Sequence, residues 1–219
     1  MVQSVALAGG MAWGSGLRLY AVVSLAGLLG RFGYLKLPET LQVIQNPWVL
    51  GLAGALLVVE FLADKIPAVD SVWDAVQAFI RIPSGALLAA LALGEHDPAW
   101  MAAAGLLGAA VTAGTQAAKS GSRAIINTSP EPFSNFAVSL GEDALAATSV
   151  WVAIVSPVLF LVALIVFIVF LIWFLPRVFR GLRALWNGIF GSDGIPSRIF
   201  RKLRGLWNGL FRRSAGRSG

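Results

Sequence analysis

Long apolar runs separated by short polar strings set the pattern of this chain. The cleanest run is Ser149 to Leu175, which holds no charged residue. At about 1.5 Å per residue it reaches roughly 40 Å, longer than the roughly 30 Å hydrocarbon core, so it must tilt, kink or protrude. Pro157 is its natural kink, and Arg177 and Arg180 stop it. Trp151 and Trp173 sit near its ends, where indole rings favour the interface. Pro47 to Phe61 is a second run, and Pro98 to Gly114, rich in Ala and Gly, a third. Small residues there allow close helix approach, as expected where lipid offers no hydrophobic drive for association.

Two further segments are less regular. The first 33 residues hold a span interrupted by Gly9, Gly10, Gly14, Ser15 and Gly16 ahead of Arg18, a pattern that predicts a helix broken at depth. No basic region precedes it and it runs past signal-peptide length, so it reads as a retained span. From Ala68 to Leu93, Asp70, Asp74, Gln77 and Arg81 share one helical face while Val69, Val72, Trp73, Val76, Phe79 and Ile80 share the other. Pro83 interrupts this segment. A kinked span with an inward polar stripe is the preferred reading; a surface helix followed by a re-entrant piece is the alternative.

The pattern therefore predicts an all-α integral membrane helical bundle of about five spans, one broken or re-entrant, plus two cytoplasmic amphipathic helices. Five spans put the N-terminus outside and the tail inside. A further membrane-dipping piece between residues 120 and 148 would reverse the N-terminus.

Composition narrows the class. The chain has 219 residues, 57% apolar and 13% charged, with a mean hydropathy of +0.76. Soluble domains run at roughly 45–50% apolar and about 25% charged. A disordered chain and an ordinary soluble globule are excluded. Without cysteine there are no disulfides, thiolate metal sites or cysteine nucleophiles. The single histidine, His96, reads as a turn residue and leaves no material for a histidine metal cage or dyad. No metal, cofactor or catalytic set is expected.

The net charge of +6 hides a split. Through Pro176 the chain carries seven Lys/Arg and ten Asp/Glu; from Arg177 onward it carries ten Lys/Arg and only Asp193. The basic character belongs to the tail, so it is not a whole-protein nucleic-acid signal. This divides the chain into a bundle, 1–176, and a basic tail, 177–219.

Two polar constellations interrupt the apolar body. The first includes Glu60, Asp64, Lys65, Asp70 and Asp74, with Pro67 forcing a break between two carboxylate pairs at i, i+4. The second runs from Lys119 and Arg123 through Asn127, Thr128, Ser129 and Glu131 to Asn135, Ser139, Glu142 and Asp143. The strings DKIPAVDSVWD and KSGSRAIINTSPEPFSN…SLGED, after a Gly-rich first span, resemble an uncharacterised bacterial multi-pass membrane family. That family is known only as domain of unknown function four-one-two-six. The resemblance covers roughly residues 5 to 170. It places Asp64, Pro67, Asp70, Asp74, Lys119, Arg123, Glu142 and Asp143 at motif positions and implies a membrane fold without a mechanism.

Charge at membrane depth costs about 2.5–3.5 kcal/mol per residue on insertion scales, so it persists only if paired or facing water. The functional expectation is that Glu60, Asp64, Asp70, Asp74, Arg81, Lys119, Arg123, Asn127, Glu142 and Asp143 converge on a polar substrate-binding cavity. Carboxylates there would take a cation; Lys119, Arg123 and backbone N–H groups would take an anionic headgroup. The alternative is that Asp64, Lys65 and Glu131 sit in headgroup-level loops and that Arg81 pairs structurally with Asp74 or Gln77. A faint echo between the halves, Pro38-Glu39 and Pro130-Glu131 each ahead of an apolar span, leaves an internal repeat open.

The tail contains a duplication. Residues 177–190, RVFRGLRALWNGIF, and 198–211, RIFRKLRGLWNGLF, are identical at ten of fourteen positions. At 100° per residue the large apolar side chains fall on one face, and Arg177, Arg180 and Arg183 on the other. That is the pattern of an interfacial helix. Arg177, Arg180, Arg183, Trp186, Arg198, Arg201, Lys202, Arg204 and Trp207 are the expected lipid-binding residues. The partners this implies are the bilayer and its anionic lipids, with a homo-oligomer open and no nucleic acid.

The leading expectation is a multi-pass inner-membrane transporter or channel-like permease for a small ion, anionic solute or lipid headgroup. The alternative is a non-transporting scaffold or assembly factor whose tail binds anionic lipid. A membrane enzyme ranks third, since no Ser/His/Asp set or metal cage is visible.

Overall fold

The computed structural model describes residues 1–64, 66–94, 97–126 and 132–190, with the side chains at 67, 68, 70, 71, 124–126, 132–136, 179, 182–186 and 188–190 left out. Six α-helices follow in order: α1 (Val2–Arg31), α2 (Pro47–Ala63), α3 (Pro67–Ala92), α4 (Pro98–Ile126), α5 (Pro132–Val155) and α6 (Pro157–Phe190). A 3-10 segment, Glu39–Gln45, lies between the first two, and no strand occurs among the described residues. Every helix after α1 opens on a proline. Proline suits that position because its fixed φ is helical and its missing N–H would have had no partner there. The chain divides into two compact units, Met1–Ile172 and Trp173–Gly219.

The first unit is built around α1. That helix is broken at Arg18, whose φ of −147° and ψ of 81° are extended. The break is a fold-back: a Cβ placed on Gly14 would lie 2.6 Å from Val22 Cγ2. In a straight helix those residues would be about 12 Å apart along the axis. Two arms, residues 2–17 and 19–31, therefore return on each other, with Leu7, Met11, Val22 and Ala26 in one apolar core.

The other helices line up on these arms. Against the first arm α5 is antiparallel, with Gly10 facing Ala153 and Gly14 facing Ser149. In contrast, α4 runs parallel to it; Thr112 donates to Ala12 O at 2.8 Å and Lys119 to Leu17 O at 3.3 Å. Between α3 and α4 the packing is antiparallel and close, since a Cβ on Gly108 would lie 2.5 Å from Ala89 Cβ. Along the second arm α2 is antiparallel, from Leu50 beside Gly27 to Glu60 and Asp64 beside Arg18.

The outside is apolar. Val158, Leu159, Val162, Ile165, Val166 and Val169 of α6 are all exposed, as are Trp48, Phe79 and Leu106 elsewhere. Only part of α6 is covered: Phe160 is buried with Ala6 and Ala153, and Trp13 meets Phe167 edge to face at 5.4 Å. Surfaces of this kind belong in lipid, not water. By length and apolarity α1, α3, α4, α5 and α6 qualify as spans, and the 3-10 segment with α2, bent by 61°, would make a sixth. The chain is a multi-pass membrane protein.

One expectation changes. Ser149–Leu175 is not one kinked span: Ser149–Val155 ends α5, and a new helix begins at Pro157. Proline cannot carry the helix bond across that point. The first segment is broken as expected, and its two arms run antiparallel, so Val2 and Arg31 lie towards the same end of the bundle. As in the preferred reading, the segment from Ala68 to Leu93 forms one helix, α3, that runs through Pro83.

Candidate functional site

The tip of the α1 fold-back is where the charged residues meet. Breaking the helix at Arg18 takes nearby carbonyls out of the i to i+4 ladder, and Lys119 Nζ donates to one of them, Leu17 O. Arg18 itself is 0% exposed. Its Nη2 binds Asp64 Oδ2 and donates to Ser139 Oγ at 2.7 Å, and Ser139 Oγ donates to the same Asp64 oxygen at 2.9 Å. Around the same guanidinium stand Asp143 Oδ1 at 2.8 Å from Nε, Glu60 Oε1 at 3.6 Å from Nη1 and Glu142 Oε2 at 3.7 Å from Nη2.

Helix periodicity supplies the rest. Glu60 and Asp64, four apart, share a face at the end of α2; Asp74 and Arg81, two turns apart, share one on α3; Lys119 and Arg123 share one on α4. Arg81 Nη2 binds Glu60 Oε1, while its Nη1 donates to Asp74 Oδ1 at 3.1 Å and to Gln116 Oε1 at 2.6 Å. Asp74 Oδ1 also accepts from Lys119 Nζ at 3.0 Å. Arg123 grips Glu142 with two bonds, Nε to Oε1 at 3.0 Å and Nη2 to Oε2 at 2.6 Å, and its Nη2 reaches Asp64 Oδ2 at 3.4 Å. Lys119 Nζ lies 3.6 Å from Glu142 Oε2, which ties the two sides together. Glu60 and Arg81 are 0% exposed, and Asp64, Asp74, Lys119, Arg123 and Glu142 are buried. The Asp143 side chain, 31% exposed, is the one with access to the outside.

Most of the expected site residues are thus brought together: Glu60, Asp64, Asp74, Arg81, Lys119, Arg123, Glu142 and Asp143. The Asp70 side chain and Asn127 lie outside what is described, as do Lys65, His96 and Glu131. The charged groups pair with one another, and three clefts of about 160, 280 and 230 Å³ elsewhere in the bundle have no charged residue in their walls. Among the described residues no group of three or more carboxylates or histidines is placed to hold a metal ion.

Arg18 is the central residue that sequence reasoning treated only as the end of a glycine run. Its signal was available: a guanidinium in the middle of an apolar segment must have partners. Gln116, bridging Arg81 and the Asp74 carbonyl, was missed as well. Of the expected lipid-binding residues, Arg177 stacks 3.9 Å over the Trp173 ring and donates to Trp173 O; Arg180 Nε donates to Pro176 O at 3.1 Å. Arg183 and Trp186 lie on α6 without described side chains. Arg198, Arg201, Lys202, Arg204 and Trp207 lie outside the described residues.

The model of a family described as a domain of unknown function, DUF4126, matches residues 5–177. No curated protein and no solved structure matches the chain.

Proposed function

This chain belongs to the DUF4126 family, whose function is unknown, and from the geometry of its buried charges we propose that it is an inner-membrane permease for a small ion. The observation that carries the reading is the arrival of Arg18, on the tip of a re-entrant hairpin, in a closed ring of ion pairs drawn from four other helices. Replacing a buried ion pair by apolar residues is often neutral or stabilising, so stability alone gives little reason to keep so many. Re-entrant backbone in a membrane is tolerated where protein or a water path covers it. In this reading the hairpin tip and its partners form the closed gate of an ion path.

In this reading α1 enters and leaves on one face and α2 to α6 cross, so that the N-terminus and the tail fall on opposite sides. The arginine excess after Pro176 supports a cytoplasmic tail, where its basic faces would meet anionic lipid. Arg177 over Trp173 is the pairing expected of an interfacial segment.

A non-transporting scaffold is the second reading, favoured by one observation: the charged groups are closed on one another, and the clefts carry no charge in their walls. Flux decides between them. The purified full chain, reconstituted in liposomes with entrapped reporters for H⁺, Na⁺, K⁺ and Cl⁻, is expected to carry one of these ions. Rates equal to those of empty liposomes for all four would reject the permease and leave the scaffold.

A further inference from the structure

Among the described residues the ionic centre holds five carboxylates against four cations. Arg81 is bound to Glu60, Arg18 to Asp64, Lys119 to Asp74 and Arg123 to Glu142. Four cations take four carboxylates, each pair at least nine-tenths buried. Asp143 is the fifth carboxylate. Its Oδ1 lies 2.8 Å from Arg18 Nε, yet neither atom makes a hydrogen bond, because that guanidinium is turned towards Asp64 and Ser139. It is also the member with its side chain partly open to the outside.

We propose that the ion is a proton and that Asp143 is where it enters the network. A surplus negative charge beside a low-dielectric interior is costly, and a carboxylate relieves it by binding H⁺. One proton on Asp143 makes the described network neutral. The step is a single O–H bond: water delivers H⁺ to the carboxylate, and release reverses it. With Asp143 ionised, Asp143 and Asp64 compete for Arg18; with Asp143 protonated, Arg18 is left to Asp64, Glu60 and Glu142. Arg18 sits at the break in α1, so a change in its pairing acts directly on the hairpin tip.

The surroundings of Asp143 fit this role. From α1 it is faced by Arg18, from the end of α2 by Asp64, from α4 by Lys119, and on its own helix by Glu142. The groups of α3, Asp74 and Arg81, are engaged with Lys119 and Glu60. A hard metal cation would need several oxygens around it; guanidinium groups stand there instead.

The proposal rests on the permease reading for the use of the proton, not for its site, and the test separates the two. Full-length protein in liposomes is given a potassium-diffusion potential with valinomycin, and internal pH is followed by an entrapped dye. In parallel, infrared spectra in H₂O and D₂O across a pH titration report the carbonyl stretch of a protonated carboxyl. The expected result is proton uptake that falls by about tenfold or more in Asp143→Asn and returns in Asp143→Glu, with the titrating carboxyl band lost and restored in step. Asparagine keeps the size of the partly exposed Asp143 side chain, so Asp143→Asn should fold; matching elution and thermal midpoint verify it. Proton flux unchanged in Asp143→Asn, or flux of another ion in place of H⁺, overturns the proposal and leaves the permease. A titrating band that disappears in Asp143→Asn, with no flux of any ion in the parent protein, supports the proton site and rejects the permease.

Discussion

Arg123 and Glu142 show at single-residue scale what holds the centre of the bundle. Two parallel hydrogen bonds, at 3.0 and 2.6 Å, bind a buried guanidinium to a buried carboxylate. Removing one partner strands the other charge, which costs about 3–5 kcal/mol in a buried site, whereas removing both is far milder. Arg123→Met is therefore expected to lower stability by about that much, and Arg123→Met with Glu142→Met to recover most of it. Chemical unfolding in micelles measures both; a double variant no better than the single would refute the pairing. The residue types of this site were legible, because charges in an apolar run stand out. Their partners were not. Arg18 and Asp64 are 46 positions apart and Arg18 and Ser139 are 121 apart, and nothing in local periodicity encodes such distances.

At the scale of elements, the decisive feature is the hairpin of α1. Gly14 makes it possible. A Cβ there would sit 2.6 Å from Val22 Cγ2 on the returning arm and 2.9 Å from Ser149 Oγ on α5. Gly14→Val should wedge the two arms apart, destabilise the fold by about 1–3 kcal/mol, and draw Arg18 from its partners. The thermal midpoint of the detergent-solubilised protein reads the first effect. A midpoint unchanged within error would mean that the arms are not packed at this position. The glycine run announced a break, but its angle depends on what the second arm finds to pack against: Ile44 and Leu50 beside Gly27, and Leu37 beside Gly30. The division of 149–175 into two helices was open to prediction, since Pro157 lay in plain view. Apolarity alone does not register such a break.

At the scale of the whole molecule, the unit Met1–Ile172 is a bundle whose outside is apolar and whose ionic centre lies towards one end of its helices. The proposed topology makes a clear prediction about sidedness. An epitope tag before Met1 and another after Gly219 should fall on opposite faces of the membrane, the first cleaved by protease added to intact cells after outer-membrane permeabilisation, the second only after lysis. Tags protected together or cleaved together would require α1 to cross as a straight helix.

Local physics was enough to settle the class from sequence alone. A run of apolar residues long enough for lipid, a proline at the head of a helix and a charge that lipid will not accept each act through near neighbours or through the solvent. They yielded an all-α membrane bundle, most of its helix boundaries and the pool of residues at its centre. Only the tertiary structure decided that the first segment folds back at Arg18, that charges from five helices meet and pair at its tip, and that Asp143 is the partly exposed one among them. Those outcomes turn on which distant side chains reach each other first and how many partners each finds. Pairing of that kind is set by the packing of whole helices, not by the order of residues along any one of them.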